Sequence, residues 1–152
     1  MLGGYRVQGP AELEIGEVVE VAVRNPLENA ANSGKPRPAV LVASETRRGD
    51  GWLIMGLTTK PTFADGSPRV RIPNPRAIGL EGNGYLWGNT LTWVEARSVE
   101  SHIGWADRAS AFAVADHAQL PQPQLIELLT SAFLHHPRDL EASEAQHRSQ
   151  SR

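Results

Sequence analysis

The apolar residues of this chain fall into short runs, each bounded by Gly, Pro or charge. Ile15 to Val23 alternates, with Val19, Val21 and Val23 on one face, and predicts a first strand. Two near-continuous apolar runs follow, Arg37 to Ser44 and Trp52 to Thr59, separated by the polar turn Glu45 to Gly51. Their Val, Ile and Leu content and their short length predict two buried strands joined as a hairpin. Arg69 to Pro73 alternates strictly and predicts a short strand, with Arg69 and Arg71 opposite Val70 and Ile72. Gly79 to Asn89 is rich in glycine, with Asn83-Gly84 as a turn signal. Thr90 to Val99, carrying Trp93 and Val94, again has strand composition.

The pattern changes period late in the chain. Asp107 is placed to cap a helix running to about Gln119, in which Phe112, Ala115 and Leu120 recur at helical spacing. Pro121 and Pro123 end it. A second helix is predicted over Gln124 to His135, with Leu125, Leu128, Leu129 and Ala132 on one side. The flanks are different in kind. Met1 to Glu14 has no period and predicts an irregular lead-in. From Pro137 the chain is polar with only Leu140 bulky and apolar, which predicts a disordered tail over 137–152. Residues 15–136 therefore read as one domain, mainly antiparallel β, with a helical part at its C-terminal end. Two polar loops interrupt it, 24–36 and 60–68; the first is long for a compact domain, and such loops are often functional.

Composition narrows the function classes. The length of 152 residues suits one domain with a real core. Without cysteine there is neither a disulfide nor a thiolate metal site. No basic segment followed by an apolar one opens the chain, and no apolar run approaches the roughly 20 residues that span a bilayer. A soluble, cytoplasmic protein with no membrane partner is expected. Net charge is −2, but it is unevenly spread: residues 1–23 carry −3, residues 24–76 carry +5 and residues 77–152 carry −4. An anionic ligand would be drawn to the hairpin region; the alternative is a solvated face with chance asymmetry.

Motifs for several chemistries are missing. The histidines His102, His117, His135, His136 and His147 form no metal-binding spacing. His135-His136 ends a helix, where the dipole favours a cation on the surface. There is no Walker or dinucleotide glycine pattern, and Gly82-Asn83-Gly84 sits in a turn rather than before a helix. There is no nucleophile elbow. No metal and no cofactor is expected.

What remains is Arg37 with Thr58 and Thr59. Antiparallel pairing of the hairpin brings the start of its first strand and the end of its second to one edge. A guanidinium fork and hydroxyls at one edge suit phosphate oxygens; the plainer alternative is a strand-starting Arg and β-favouring threonines. Of the tryptophans Trp52, Trp87, Trp93 and Trp105, most belong to the core by default. Trp87, among Gly84, Gly88 and Asn89, is the candidate for stacking on a base.

Lys35 to Val42, preceded by Gly16-Glu-Val-Val-Glu-Val21 and a long loop, resembles the opening of the PemK/Kid/MazF toxin family. Gly56 to Lys60 is similar to that family's threonine-serine segment, and Phe63 falls where some members carry a loop aromatic. Ser101 to Asp107 resembles the family's passage from last strand to helix. The likeness covers roughly residues 15–120. It implies an SH3-like barrel of the MazF/CcdB toxin type with a C-terminal helical part. It also implies a homodimeric endoribonuclease that cleaves single-stranded RNA without metal and is inhibited by a cognate protein antitoxin. Arg37, Thr58 and Thr59 would be catalytic, and Lys35, Lys60, Phe63, Arg69, Arg71, Trp87 and Asn89 would bind RNA. The chain departs from the family in two places. Where some members use an Arg and an Asp, it has Trp87 and Asn89, and no histidine stands between 24 and 36. Two other readings stand beside the nuclease: a non-catalytic growth inhibitor or regulator on the same fold, as with the gyrase-poisoning CcdB toxins, and an RNA- or partner-binding module.

Overall fold

The computed structural model describes residues 12–22 and 35–138. Six strands form one antiparallel sheet: β1 (Glu17–Ala22), β2 (Pro36–Ser44), β3 (Gly51–Thr58), β4 (Tyr85–Leu86), β5 (Thr92–Glu95) and β6 (Val99–Trp105). Two helices follow, α1 (Arg108–Ala118) and α2 (Gln122–His135). The sheet order is β4-β3-β2-β1-β6, with β5 also on β3. The free edge of β3 is thus shared: Gly51 to Ile54 pair with β5, and Leu57 and Thr58 pair with β4. The hairpin predicted from the continuous apolar runs is β2 and β3, at the centre of the sheet.

Why those runs are continuous follows from what they face. Val18, Val40, Val42, Met55 and Leu57 point to one apolar cluster, together with Ala111 and Val114 of α1 and Leu128 of α2. Val19, Val21, Ala39, Leu41 and Ile54 point to a second, with Trp52, Val94 and Ala96. Both faces of the central strands are covered, so both parities must be apolar. Burying each such Leu or Ile contributes about 1.5–3 kcal/mol.

The turn joining β2 and β3 is pinned by charge. The Glu45 carboxylate accepts from Arg47 through the backbone N at 2.9 Å, Nε at 3.0 Å and Nη2 at 2.7 Å. These bonds, the side-chain ones first, hold the Glu45 carboxyl down at about 2. A depressed carboxyl stabilises the fold above its ordinary value of 4.5, and that contribution fades as pH falls towards 2. An NMR titration is expected to place the Glu45 midpoint near 2, and Arg47→Ala to return it towards 4.5. An unchanged midpoint in the variant would remove Arg47 as the cause.

Several expectations need correction. Ile15 and Gly16 form a turn before β1 rather than part of it, Gly16 having φ of 89°. Arg69 to Pro73 is not a strand. Only a single bridge joins Arg71 to Tyr85, because Pro68 and Pro73 lack donors and β4 is two residues long. The run Thr90 to Val99 is split by a one-turn 3-10 helix over Ala96–Ser98 into β5 and the start of β6. Phe112 is exposed, and α1 buries Ser110, Ala111, Val114 and Ala115 instead. Asp107 does cap α1, its side chain accepting from Ser110 N at 2.9 Å. Helix α2 begins at Gln122, two residues earlier than its predicted start, with a proline in its first turn. Val23, most of the lead-in, nearly all of the loop 24–36 and most of the tail lie outside the described residues. No described helix is long and apolar enough to cross a membrane.

One junction shapes the site. A 3-10 turn at Arg76–Ile78 lies close against β6. Only glycine fits there. A Cβ on Gly104 would lie 2.4 Å from the Ile78 carbonyl oxygen, and one on Gly79, where φ is 98°, would lie 2.6 Å from the Ile103 oxygen.

Candidate functional site

Where β2 begins and β3 ends, the sheet gathers Lys35, Arg37, Thr58, Thr59 and Lys60 at one end. The β2–β3 ladder runs to Ala39 opposite Gly56, and its continuation sets Arg37 across from Thr58. Thr58 is buried and its Oγ1 accepts from the Lys60 backbone N at 3.2 Å. That bond holds the hydroxyl rotor while leaving its own proton for another acceptor. Thr59 and Lys60 are exposed, as is Lys35.

Thr58 and Thr59 open onto a groove of about 400 Å³. Pro38, Leu57, Leu80 and Ile103 supply its apolar walls, and Glu20 and Asn83 are among its polar groups. Glu20 is cross-strand from Pro38, and both lie on the parity opposite Val21 and Arg37. Arg37 is therefore half-buried beside the groove and is not on its wall.

The loop 60–68 is folded back on itself. Phe63 N donates to Ser67 O at 2.8 Å, and the Asp65 carboxylate accepts from Ser67 Oγ at 2.6 Å. The Ser67 bonds hold the Asp65 carboxyl below its ordinary value. Against this loop lies an aromatic–cation stack: the Arg69 guanidinium is 4.6 Å from the Phe63 ring centre and 5.0 Å from that of Trp87. Its donors reach Trp87 O at 3.0 Å and Thr62 O at 2.7 Å, so Arg69 ties loop to sheet. Trp87 is in turn held by its N donating to Gly56 O at 2.7 Å. Arg71 is exposed and reaches Asn83 Oδ1 at 3.5 Å, and Asn89 is exposed beyond Trp87.

The structure thus gathers the predicted residues into two neighbouring groups. One is the cationic, hydroxyl-bearing strand end; the other is the stack of Phe63, Arg69 and Trp87, joined to it where Arg69 Nη1 donates to Lys60 O at 3.3 Å. Arg71 and Asn89 stand at their margins. Sequence reasoning missed Glu20, Pro38, Asn83 and Ile103, which meet only through the tertiary fold. It also missed a contact to a buried carboxyl: Glu17, fully inaccessible, lies 2.8 Å from His102 Nδ1 across β1 and β6. The available signal was an acid at each of two positions inside the valine-rich β1. Among the described residues no group of three or more His, Cys, Asp or Glu is arranged to hold a metal.

Searches of protein families and of curated proteins return no match to this chain.

Proposed function

We propose that this protein is an endoribonuclease toxin on an SH3-like barrel of the MazF/CcdB type, cutting single-stranded RNA and neutralised by a protein antitoxin. The observation that carries this reading is Thr58, its hydroxyl oxygen accepting from Lys60 N and its register position across from Arg37, on the sheet end where Lys35, Arg37 and Lys60 collect. The barrel is supported by the close approach of the 3-10 turn to β6.

In the proposed reaction the 2′-hydroxyl oxygen of the substrate bonds to the adjacent phosphorus as the bond from phosphorus to the 5′-oxygen breaks. One proton leaves the 2′-oxygen and one reaches the 5′-oxygen, giving a 2′,3′-cyclic phosphate and a 5′-hydroxyl. The nucleophile belongs to the substrate, so the protein needs only to orient the strand, move protons and stabilise charge on the phosphorane. Arg37 supplies that charge stabilisation, which is commonly the largest catalytic contribution. Thr58 donates to a non-bridging oxygen with Thr59 beside it. Phe63 and Trp87 offer stacking faces, and Lys35, Lys60 and Arg71 attract the backbone. A protein partner, antitoxin or second copy, has an apolar landing area on α2, where Ile126 is 52% and Leu134 73% exposed.

One observation favours a second reading, a non-catalytic binding protein: Arg37 does not line the groove. Expression in growing cells separates the two. The nuclease reading expects growth arrest that Thr58→Val relieves, since the variant keeps the shape and loses the donor. Arrest that persists undiminished in both Thr58→Val and Arg37→Ala would support the binding protein.

A further inference from the structure

The groove beside the threonines has a feature that phosphate chemistry does not use. Its inner wall carries a carboxylate, Glu20, on a strand that sets it between Val19 and Val21. Glu20 is partly buried between β1 and β6, and Ser101 Oγ donates to its Oε1 at 2.8 Å. That bond fixes the carboxylate. Its second oxygen, Oε2, has no hydrogen bond among the described residues. An ionised carboxylate is acceptor-only, so it repels phosphate and asks for a donor-bearing group. The surrounding walls are Pro38, Leu57, Leu80 and Ile103, which suit a flat apolar ring. Gly82 and Gly84 carry no side chain to block the rim, and Asn83 between them offers an amide.

We infer that this groove is a base-reading pocket that selects guanine, with Glu20 as its specificity-determining residue. Guanine alone among the RNA bases presents two adjacent donors, N1–H and the N2 amino group, to one carboxylate. Cytosine and adenine each set an amino donor next to a ring-nitrogen acceptor, which would face a carboxylate oxygen. Uracil offers one donor flanked by two carbonyls. Splayed bases of single-stranded RNA are read in this way, along their Watson–Crick edges. The charge pattern fits the division of labour: phosphates go to the cationic strand end, and one base turns across Thr58 and Thr59 into the acidic groove.

The position of guanine relative to the cut rests on the nuclease reading; binding of the base does not. Two measurements on the full chain keep them apart. In the first, guanosine and inosine 5′-monophosphates, together with the three other nucleotides, are titrated into the protein and followed by NMR. Guanosine monophosphate is expected to bind about tenfold or more tightly than inosine monophosphate, which lacks the N2 amino group. Its shifts should map to Glu20, Thr59 and Leu80–Gly84, and Glu20→Gln should abolish the preference. Equal affinity for all five nucleotides, or a preference unchanged in Glu20→Gln, overturns the inference. In the second, the ends of cut RNA are sequenced for wild type and Glu20→Gln. A fixed guanine near the cut in wild type that becomes degenerate in the variant supports it. Cutting with no base preference at that position overturns it. If RNA is not cut at all, the nuclease reading fails, and the nucleotide titration alone decides the pocket.

Discussion

Arg37→Ala is expected to slow RNA cleavage by about a hundredfold or more while the protein still binds RNA. Removing a single preorganised donor from a developing oxyanion typically costs on the order of a hundred- to a thousandfold in rate. Arg37 stands at the start of β2, opposite Val21 and on the register that leads to Thr58. Because it is half-buried, a fold defect must be separated from a chemical one. Arg37→Lys serves that purpose: it keeps the charge but loses the planar fork, and an intermediate rate is expected. Single-turnover rates with saturating RNA, alongside thermal unfolding of each variant, make the comparison. Wild-type rates in Arg37→Ala would remove the residue from the chemistry.

The largest expected effect on stability comes from Gly104→Ala. The added methyl carbon would sit 2.4 Å from the Ile78 oxygen and 2.9 Å from its carbonyl carbon, and backbone cannot rotate aside as a side chain can. Either β6 leaves its pairing with β1 or the Arg76–Ile78 turn moves, carrying the groove wall at Leu80–Gly84 with it. Overpacking of this kind costs about 1–3 kcal/mol, which in a domain of this size lowers Tm by several degrees. Gly88→Ala is the control: nothing lies within 4 Å of its added carbon, and little change is expected. Equal melting of the two variants would show that the seam between the 3-10 turn and β6 is loose.

How much of this could be read from the sequence depends on how local each cause is. The β2–β3 hairpin was legible because two continuous apolar runs flank a polar turn, and both faces of those strands are buried. The cap at Asp107 was legible because it is a contact three residues long. The break at Ala96–Ser98 was not, since a single 3-10 turn leaves no periodicity, and β6 is paired to β1 with two register shifts that blur its alternation. The helix α1 misled through size. Phe112 drew attention as the bulky residue, whereas the buried side is made of Ala111, Val114 and Ala115. In the site, the strand-end residues followed from strand direction alone. The partnership of Phe63, Arg69 and Trp87 was only half legible: stacking was expected on RNA, and the structure shows the rings already stacked on Arg69. Glu20 was out of reach, because its environment joins Pro38 and Leu57 to residues sixty and more positions away, at Leu80–Gly84 and Ile103.

The central claim is that this chain cuts RNA by using the substrate's own 2′-hydroxyl, and the most direct measurement is of the product ends. Purified full-length protein is incubated with a long single-stranded RNA in excess EDTA. The fragments are then tested for a 5′-hydroxyl, by kinase labelling without prior phosphatase, and for a 2′,3′-cyclic phosphate by mass. Discrete fragments bearing both ends are the predicted result. Intact RNA, or fragments ending in 5′-phosphate, would contradict the account.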